Sequence, residues 1–303
     1  MLAYGDEDPL YLSCKINWET YFNCLDISEF YFLRYVFSSA NEDTYTLNGR
    51  EFTFFCSSIQ APLPSQSYLY TSRWSSAEHS IVMKRFISFL KFIFRENQQP
   101  FFLNMMTITS VIDLGRLEKF IRSLPPLRIY GGYPLIFFNT RLKTTFTGVS
   151  GAHVLYSSDI LLELLYRLSS VSELGYPDDV IISSLLSEIP RTVIPRVNIG
   201  VKHAAQVEIV NELSNFTKER SNGHFCFRVN SLKHAKNLPG GRLYSDIALH
   251  SLMIREIIGS PNKGRENPPF NFPAEFVELD DCNRIVPGNV SVLSQTDSAV
   301  LGW

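Results

Sequence analysis

The chain has 303 residues, of which 45% are apolar, 13% aromatic and 19% charged, so a small stapled module and a disordered chain are both excluded. Its 28 basic and 30 acidic residues give a net charge of −2, which removes the overall positive field of a general nucleic-acid binder. We therefore predict a packed globular protein with no nucleic-acid partner.

The cysteines and the first residues indicate the compartment. Five scattered cysteines, an odd number without metal-ligand spacing, predict free thiols in a reducing environment: Cys14, Cys24, Cys56, Cys226 and Cys282. The start MLAYGDEDPLYLSC has acids where a signal peptide has Lys or Arg, and no apolar run reaches the ~18 residues of a membrane span. We expect a cytoplasmic protein without an integral membrane segment.

Apolar runs of strand length alternate with helical periods as far as residue 260. This alternation predicts an α/β fold with a mostly parallel central sheet and helices on both faces. From Pro261 the segment PNKGRENPPFNFP breaks all periodicity. We therefore predict one domain over residues 1–260 and an irregular tail over residues 261–303.

Two predicted helices flank a short buried strand. The first helix spans residues 77–96, with Ser75 and Glu78 as a capping box. Its core face consists of Val82, Phe86, Leu90 and Ile93. An apolar strand follows over residues 101–105, and Asp113 caps the second helix. Because ligand groups lie at the carboxyl ends of such strands, the residues after the run become candidates: Thr107, Thr109 and Ser110.

Further along the chain, a glycine pair at residues 131–132 predicts a close backbone approach or an unusual φ, and Ser157 or Ser158 caps the next helix. Asp178 and Asp179 open a further helix, where an acid acts either as a cap or in chemistry. A strand is predicted over residues 192–201, and the polar stretch after it stays unassigned.

The last predicted strand and helix hold basic residues. The alternation in FCFRVNS places Phe225, Phe227 and Val229 on one face and Arg228 on the other. A helix is predicted over residues 242–258, with Arg242 and Asp246 in its first turn. Common catalytic signatures such as G-x-S-x-G, the P-loop and H-E-x-x-H are absent, and the six histidines are too dispersed to indicate a metal site.

The order of these pieces resembles the inverting β-1,3-glycosyltransferase superfamily, to which Fringe, the core-1 galactosyltransferases and soluble bacterial and viral relatives belong. The resemblance covers roughly residues 75–258. It is carried by T-x-T-S at 107–110, S-L-P-P at 123–126, Y-G-G at 130–132, S-G-A-H-V-L-Y-S-S-D at 150–159, P-D-D-V-I-I-S-S-L-L at 177–186, F-C-F-R-V-N-S at 225–231 and R-x-x-x-D at 242–246.

The resemblance implies a GT-A-type domain that moves a sugar, with inversion, from a nucleotide-diphosphate donor, most simply a UDP-sugar, to a glycan or other hydroxyl acceptor in glycan biosynthesis. It implies Asp179 as general base, with Asp178 as helix cap or supporting partner. The expected donor-binding residues are Thr107, Thr109, Ser110, Arg228, Lys233 and Arg242. The expected acceptor-binding residues are Gly132, Ser150 and Gly151, where Ser150 and Gly151 alternatively form a tight turn.

Two departures from the family concern the metal and the activity. Thr107-Ile108-Thr109 stands where relatives place metal-binding aspartates, and Cys226 stands where relatives have histidine. We therefore expect no cofactor and metal-independent transfer, with Mn²⁺ as the disfavoured option and Asp113 as the one nearby carboxylate. The alternative function is a non-catalytic sugar-nucleotide or glycan-binding relative with the same fold.

Overall fold

The computed structural model of the chain describes residues 1–5, 9–25, 30–34, 42–47, 49–55, 76–139, 143–172, 176–201, 206–231, 241–260, 275–279 and 285–292. The described strands are β1 (Leu2–Gly5), β2 (Tyr31–Arg34), β3 (Glu42–Leu47), β4 (Arg50–Phe55), β5 (Phe102–Thr107), β6 (Ser110–Ile112), β7 (Tyr130–Asn139), β8 (Thr144–Ser157), β9 (Arg191–Val193), β10 (Val197–Ile199), β11 (Cys226–Val229), β12 (Glu275–Leu279) and β13 (Ile285–Val292). The described helices are α1 (Pro9–Asn23), α2 (Ser76–Arg95), α3 (Leu114–Arg122), α4 (Ser158–Leu168), α5 (Asp178–Leu185), α6 (Gln206–Ser221) and α7 (Gly241–Gly259).

The chain divides into two compact units, each built from separate stretches of sequence. The first unit comprises Met1–Arg73, Met106–Ser123 and Arg196–Pro269, and the second comprises Trp74–Met105, Leu124–Pro195 and Phe270–Trp303. The prediction of one domain over residues 1–260 stays a prediction.

The first unit holds four neighbouring strands of the large sheet, in the order β1-β2-β4-β3, and a three-stranded sheet in the order β10-β11-β6. Strand β2 runs parallel to β1 and β4, and β11 runs parallel to β10. Aromatic rings fill the interior between α1 and β2: the Phe22 and Phe30 ring centroids are 4.0 Å apart, and those of Phe30 and Phe32 are 4.5 Å apart. Contacts of this kind add to the stabilisation from buried area.

The second unit holds strands in the order β13-β12-β7-β8, with β9 also paired to β7. Strand β7 runs parallel to β9 and β12, and antiparallel to β8. Its sequence YGGYPLIFFN is buried almost throughout, as expected for a strand covered on both faces. Pro134 is tolerated there because the pairing with β8 shifts register between Gly132 and Pro134.

The predicted α/β class, with a mostly parallel central sheet flanked by helices, is confirmed. The predicted helices are present as α2, α3, α4, α5 and α7. The predicted core face of α2 is buried, with Val82, Phe86, Leu90 and Ile93 each at most 4% exposed. Ser75 lies outside the described residues, and so does the side chain of Glu78, so the predicted capping box lies outside them too.

Three segments differ from the sequence predictions. The unassigned polar stretch forms α6, and the strand expected over residues 192–201 is two short strands, β9 and β10. Within the tail predicted to be irregular, β12 and β13 are strands, and β12 adds to the sheet beside β7. Pairing with an existing strand outweighs the weak local preference of such segments, and Pro287 is compatible with β13 because β13 lies at the sheet edge.

In the described part of the chain, none of the helices combines the length and the apolar character that crossing a membrane requires.

Candidate functional site

Three hydroxyl side chains converge where β5 ends and β6 begins. Thr107 Oγ1 lies 3.0 Å from Ser110 Oγ and 3.4 Å from Thr109 Oγ1. Thr107 is partly exposed, whereas Thr109 is 7% and Ser110 0% exposed. The sequence therefore identified three residues that form one cluster, which we call the hydroxyl loop (residues 107–110).

The backbone of the hydroxyl loop is held by neighbouring strands. The Ile108 N–H donates to the Tyr4 carbonyl at 3.0 Å, and the Val229 N–H donates to the Thr109 carbonyl at 3.3 Å. These bonds tie the loop to the end of β1 and to β11. A loop with its peptide groups held in this way keeps its side chains in a defined arrangement.

Arg228 lies next to the hydroxyl loop by strand register. In the antiparallel pair of β11 and β6, Arg228 is the direct partner of Ser110, and in the parallel pair of β11 and β10 it is the partner of Asn198. Directly paired residues on adjacent strands point to the same face of a sheet. Arg228 is half-buried, whereas Phe227 and Val229 on either side are fully buried, which confirms the predicted alternation.

The side chains of the other two predicted cations, Lys233 and Arg242, lie outside the described part of the chain. Lys233 lies outside the described residues. Arg242 is the second residue of α7, and its side chain is not among those described. Their roles in donor binding stay predictions.

Asp113, which lies three residues after the hydroxyl loop in sequence, forms structural contacts. It is the N-cap of α3, as predicted, where its side chain accepts a hydrogen bond from the Arg116 N–H at 3.3 Å. Its Oδ2 also accepts from Arg220 Nε at 2.8 Å and lies 3.4 Å from Arg116 Nε. With Asp113 only 2% exposed, the carboxylate is fully engaged by two guanidinium groups.

The described residues near the hydroxyl loop do not offer a ligand set for a divalent metal. Such an ion needs hard oxygen ligands, usually carboxylates, and the carboxylate of Asp113 is paired with arginines. Among the described residues, no group of three or more His, Cys, Asp or Glu side chains could hold a metal ion.

The predicted acid pair opens α5 in the second unit. The N-cap position belongs to Pro177, so of the two predicted roles of Asp178 the helix cap is wrong, and that of a supporting partner stays a prediction. Both acids lie in the first turn, where negative charge interacts favourably with the helix dipole. Asp179 Oδ1 accepts a hydrogen bond from the Val180 N–H at 3.1 Å, and both acids are half-buried.

Two buried tyrosines lie within the electrostatic reach of the acid pair. The rings of Tyr130 and Tyr156 stack at a centroid distance of 5.7 Å, and the Tyr130 hydroxyl lies 3.1 Å from Ser183 Oγ on α5. Burial, and then the neighbouring Tyr130 followed by the negative charge of Asp178 and Asp179, raises the pKa of Tyr156 well above its usual value. Burial likewise raises the pKa of Tyr130. Sequence reasoning missed both tyrosines because they look like ordinary apolar strand residues.

The three predicted acceptor-binding residues are buried in strands. A Cβ on Gly132 would lie 2.7 Å from the His153 carbonyl oxygen, so the predicted close backbone approach is confirmed there. Ser150 and Gly151 lie within β8 and not in a tight turn, where Ser150 Oγ accepts from the Ala152 N–H at 3.3 Å. Contact with an acceptor stays a prediction for all three residues.

The cysteines behave as the sequence predicts wherever they are described. Cys14, Cys24 and Cys226 are free thiols. Burial raises the pKa of Cys226 to about 12, so this residue is a small core side chain. Cys56 and Cys282 lie outside the described residues.

No family of known proteins matches the chain, and no curated protein does either. Among solved structures, the chain is similar to a glycosyltransferase involved in the glycosylation of the major capsid of PBCV-1, with 9% sequence identity and a TM-score of 0.38 over 82% of this chain and 98% of that chain. A likeness at so low an identity and TM-score assigns no function to this chain.

Proposed function

We propose that the chain is an inverting glycosyltransferase that uses a nucleotide-diphosphate sugar, with the donor diphosphate bound by the hydroxyl loop and Arg228. The observation that carries this proposal is the strand register that sets Arg228 opposite Ser110 beside the converging hydroxyls of Thr107 and Thr109. The order of motifs that resembles the β-1,3-glycosyltransferases supports the same reaction class.

The chemistry of this cluster suits a diphosphate. A guanidinium group presents paired N–H donors that match two phosphate oxygens, and its positive charge persists at every physiological pH. Hydroxyl groups add donors that rotate toward the oxygens without further charge. The position at the carboxyl end of β5 is where ligands bind in open α/β sheets.

We assign the leaving-group charge to Arg228 and no step to a metal ion. As the sugar–phosphate bond breaks, negative charge develops on the diphosphate, and a fixed cation stabilises that charge in the transition state. Lys233 and Arg242 are the further cations that we propose for this role. The absence of a carboxylate from the hydroxyl loop supports the metal-independent reaction that we propose.

We assign the general base to Asp179. Inversion by direct displacement requires a group that takes the proton of the acceptor hydroxyl, and a half-buried carboxylate is suited to this task. Asp178 is its partner in the first turn of α5. The donor-binding residues and the acid pair belong to different units, so each assignment has its own test.

A panel of nucleotide sugars tests the proposal directly. The wild-type chain is incubated with UDP-, GDP- and CDP-sugars, with and without simple glycan acceptors, and release of the nucleotide is measured. We expect slow hydrolysis of one donor class that accelerates with an acceptor and inversion at the anomeric carbon. Tight binding of a nucleotide sugar without turnover would instead favour a non-catalytic sugar-nucleotide-binding protein. No binding at all would contradict both functions.

A further inference from the structure

A histidine and a tryptophan from two helices that are far apart in sequence contact the backbone of the hydroxyl loop. The Ile108 carbonyl accepts from Trp18 Nε1 at 3.2 Å and lies 3.2 Å from His250 Nε2. Trp18 Nε1 also donates to the Ser110 carbonyl at 3.1 Å. Trp18 is on α1 and His250 is on α7, and all of these residues belong to the first unit.

The partners of His250 assign its tautomer. A carbonyl oxygen can accept but not donate, so the Nε2 atom that faces Ile108 carries the hydrogen. The Nδ1 atom lies 3.2 Å from Asn17 Nδ2, and it therefore accepts a hydrogen bond from that amide. The ring is 0% exposed and meets Trp18 edge-on at a centroid distance of 6.3 Å. His250 is thus a buried, neutral ring with a fixed donor.

The position of the Ile108 carbonyl determines the orientation of the next peptide plane in the loop. Its peptide plane is shared with Thr109, because the six atoms from one Cα to the next are coplanar. Holding the carbonyl therefore holds the plane from which the Thr109 side chain departs. The Ile108 N–H is held at the same time by Tyr4, so both sides of this residue are fixed from outside the loop.

We propose that His250 is a positioning residue of the donor site, whose Nε2–H holds the Ile108 carbonyl so that the hydroxyls of Thr107, Thr109 and Ser110 stay converged for a nucleoside diphosphate. This inference rests on the proposed function of the hydroxyl loop. His250 touches the loop backbone and acts through it. A site built on a fixed scaffold binds more tightly because less order has to be imposed on binding.

Two amide variants separate the two hydrogen bonds of the ring. His250→Gln places a side-chain N–H close to the position of Nε2 and retains the bond to Ile108, whereas His250→Asn places its amide close to Nδ1 and loses that bond. The readouts are amide hydrogen exchange over residues 106–112 without ligand and the Kd for UDP, both on the full chain. His224→Gln is the matched control, because His224 is a buried histidine of the same unit that pairs with Glu219.

We expect exchange over residues 106–112 to be at least about tenfold faster in His250→Asn than in His250→Gln. The Kd for UDP rises about tenfold in His250→Asn and stays within about threefold of wild type in His250→Gln and His224→Gln. If the role of His250 were merely structural, the exchange rate would change by the same factor in both His250 variants. Equal exchange rates and equal Kd values for the two variants would overturn the proposal.

A measurement on the wild-type chain guards against a variant that does not fold. The ¹⁵N shifts of the His250 ring report which nitrogen carries hydrogen, and we expect the Nε2–H tautomer. An Nδ1–H tautomer would overturn the proposal, because Nε2 could not then donate to Ile108. If wild type does not bind UDP or another nucleoside diphosphate, the proposed function fails, whereas the exchange and tautomer results still decide whether His250 holds the loop.

Discussion

The residues that Asp113 contacts determine its role. It is a carboxylate three residues beyond the hydroxyl loop, yet it caps α3 and pairs with Arg220 and Arg116. Arg220 also donates through Nη2 to the Ser260 carbonyl at 2.7 Å, so the ion group ties α3, α6 and the end of α7 together. The role of Asp113 is therefore structural.

Asp113→Asn tests this role. The variant keeps a capping oxygen and removes the charge, so Arg220 and Arg116 are left as buried cations. Breaking a buried ion pair from one side costs about 3–5 kcal/mol, and we expect a loss of that size in the free energy of unfolding, measured by urea denaturation. An unchanged stability together with loss of UDP binding would show that Asp113 serves a ligand instead.

Asp179→Asn tests the general base. The substitution removes the proton acceptor and retains the shape, so we expect the transfer rate to fall about 10²- to 10⁴-fold while UDP affinity changes little. Asp178→Asn is the matched control at the adjacent first-turn position, and its loss of rate should be milder. Equal and small losses in the two variants would reassign Asp179 to the helix dipole alone.

His250 makes the stability depend on pH. Burial lowers its pKa from 6.5 to about 4, against the weaker opposite effect of the Ile108 and Ser110 carbonyls. The unfolded chain therefore takes up a proton below about pH 6.5 and the folded chain only near pH 4, so this contribution is fully present above pH 6.5 and declines as pH falls toward 4. Its full size is on the order of 3 kcal/mol.

Urea unfolding of wild type and His250→Gln at several pH values between 4 and 7.5 measures this contribution. The Gln side chain does not titrate, so the difference between the two curves isolates His250 from other buried histidines. We expect wild type to lose more stability than the variant as the pH falls from 6.5 to 4. Parallel curves for the two proteins would mean that His250 has the same pKa folded and unfolded.

At the scale of elements, the position of the acid pair depends on how α5 packs against β8. A Cβ on Gly148 of β8 would lie 2.0 Å from Ser183 Oγ of α5 and 2.9 Å from the Phe137 ring. Ser183 in turn meets the Tyr130 hydroxyl. The contact is closer than any side chain other than glycine permits, so Gly148 sets the depth at which α5 sits in its own unit.

Gly148→Ala is therefore expected to move α5 and its acid pair. Overpacking in a buried contact costs about 1–3 kcal/mol, and transfer activity should fall more than this loss of stability alone would produce. The measurements are the free energy of unfolding and the transfer rate at saturating donor. Gly259→Ala is the control, since nothing lies within 4 Å of its Cβ position, and a loss of the same size there would contradict the packing argument.

The elements that sequence predicted well are those with a strong local pattern. Helix α2 has a full apolar stripe, and Asp113 marks the start of α3 by its own side-chain chemistry. Helix α6 was missed because its buried apolar residues, Ile209 and Phe216, are seven positions apart, while Val207 and Val210 are exposed. A stripe this sparse does not stand out from a polar loop.

At the scale of the whole molecule, the site residues that were missed are those joined by tertiary contact. Trp18 and His250 are 90 and 142 positions away from the loop residue that they share, and no local period pairs them. The two compact units are each assembled from three stretches of chain, which no local pattern in the sequence indicates. In contrast, the hydroxyl loop and Arg228 were found because residue type and strand alternation are local signals.

The most direct test of this account is the binding of UDP to the full chain in the presence of excess chelator. Calorimetry measures this binding for wild type, Arg228→Lys and Arg228→Ala. We predict that wild type binds UDP in excess chelator, that Arg228→Ala weakens binding at least about tenfold, and that Arg228→Lys falls between them because an ammonium keeps the charge and loses the paired donors. Binding that ignores Arg228, or that is lost to the chelator and restored by Mn²⁺, would contradict the account.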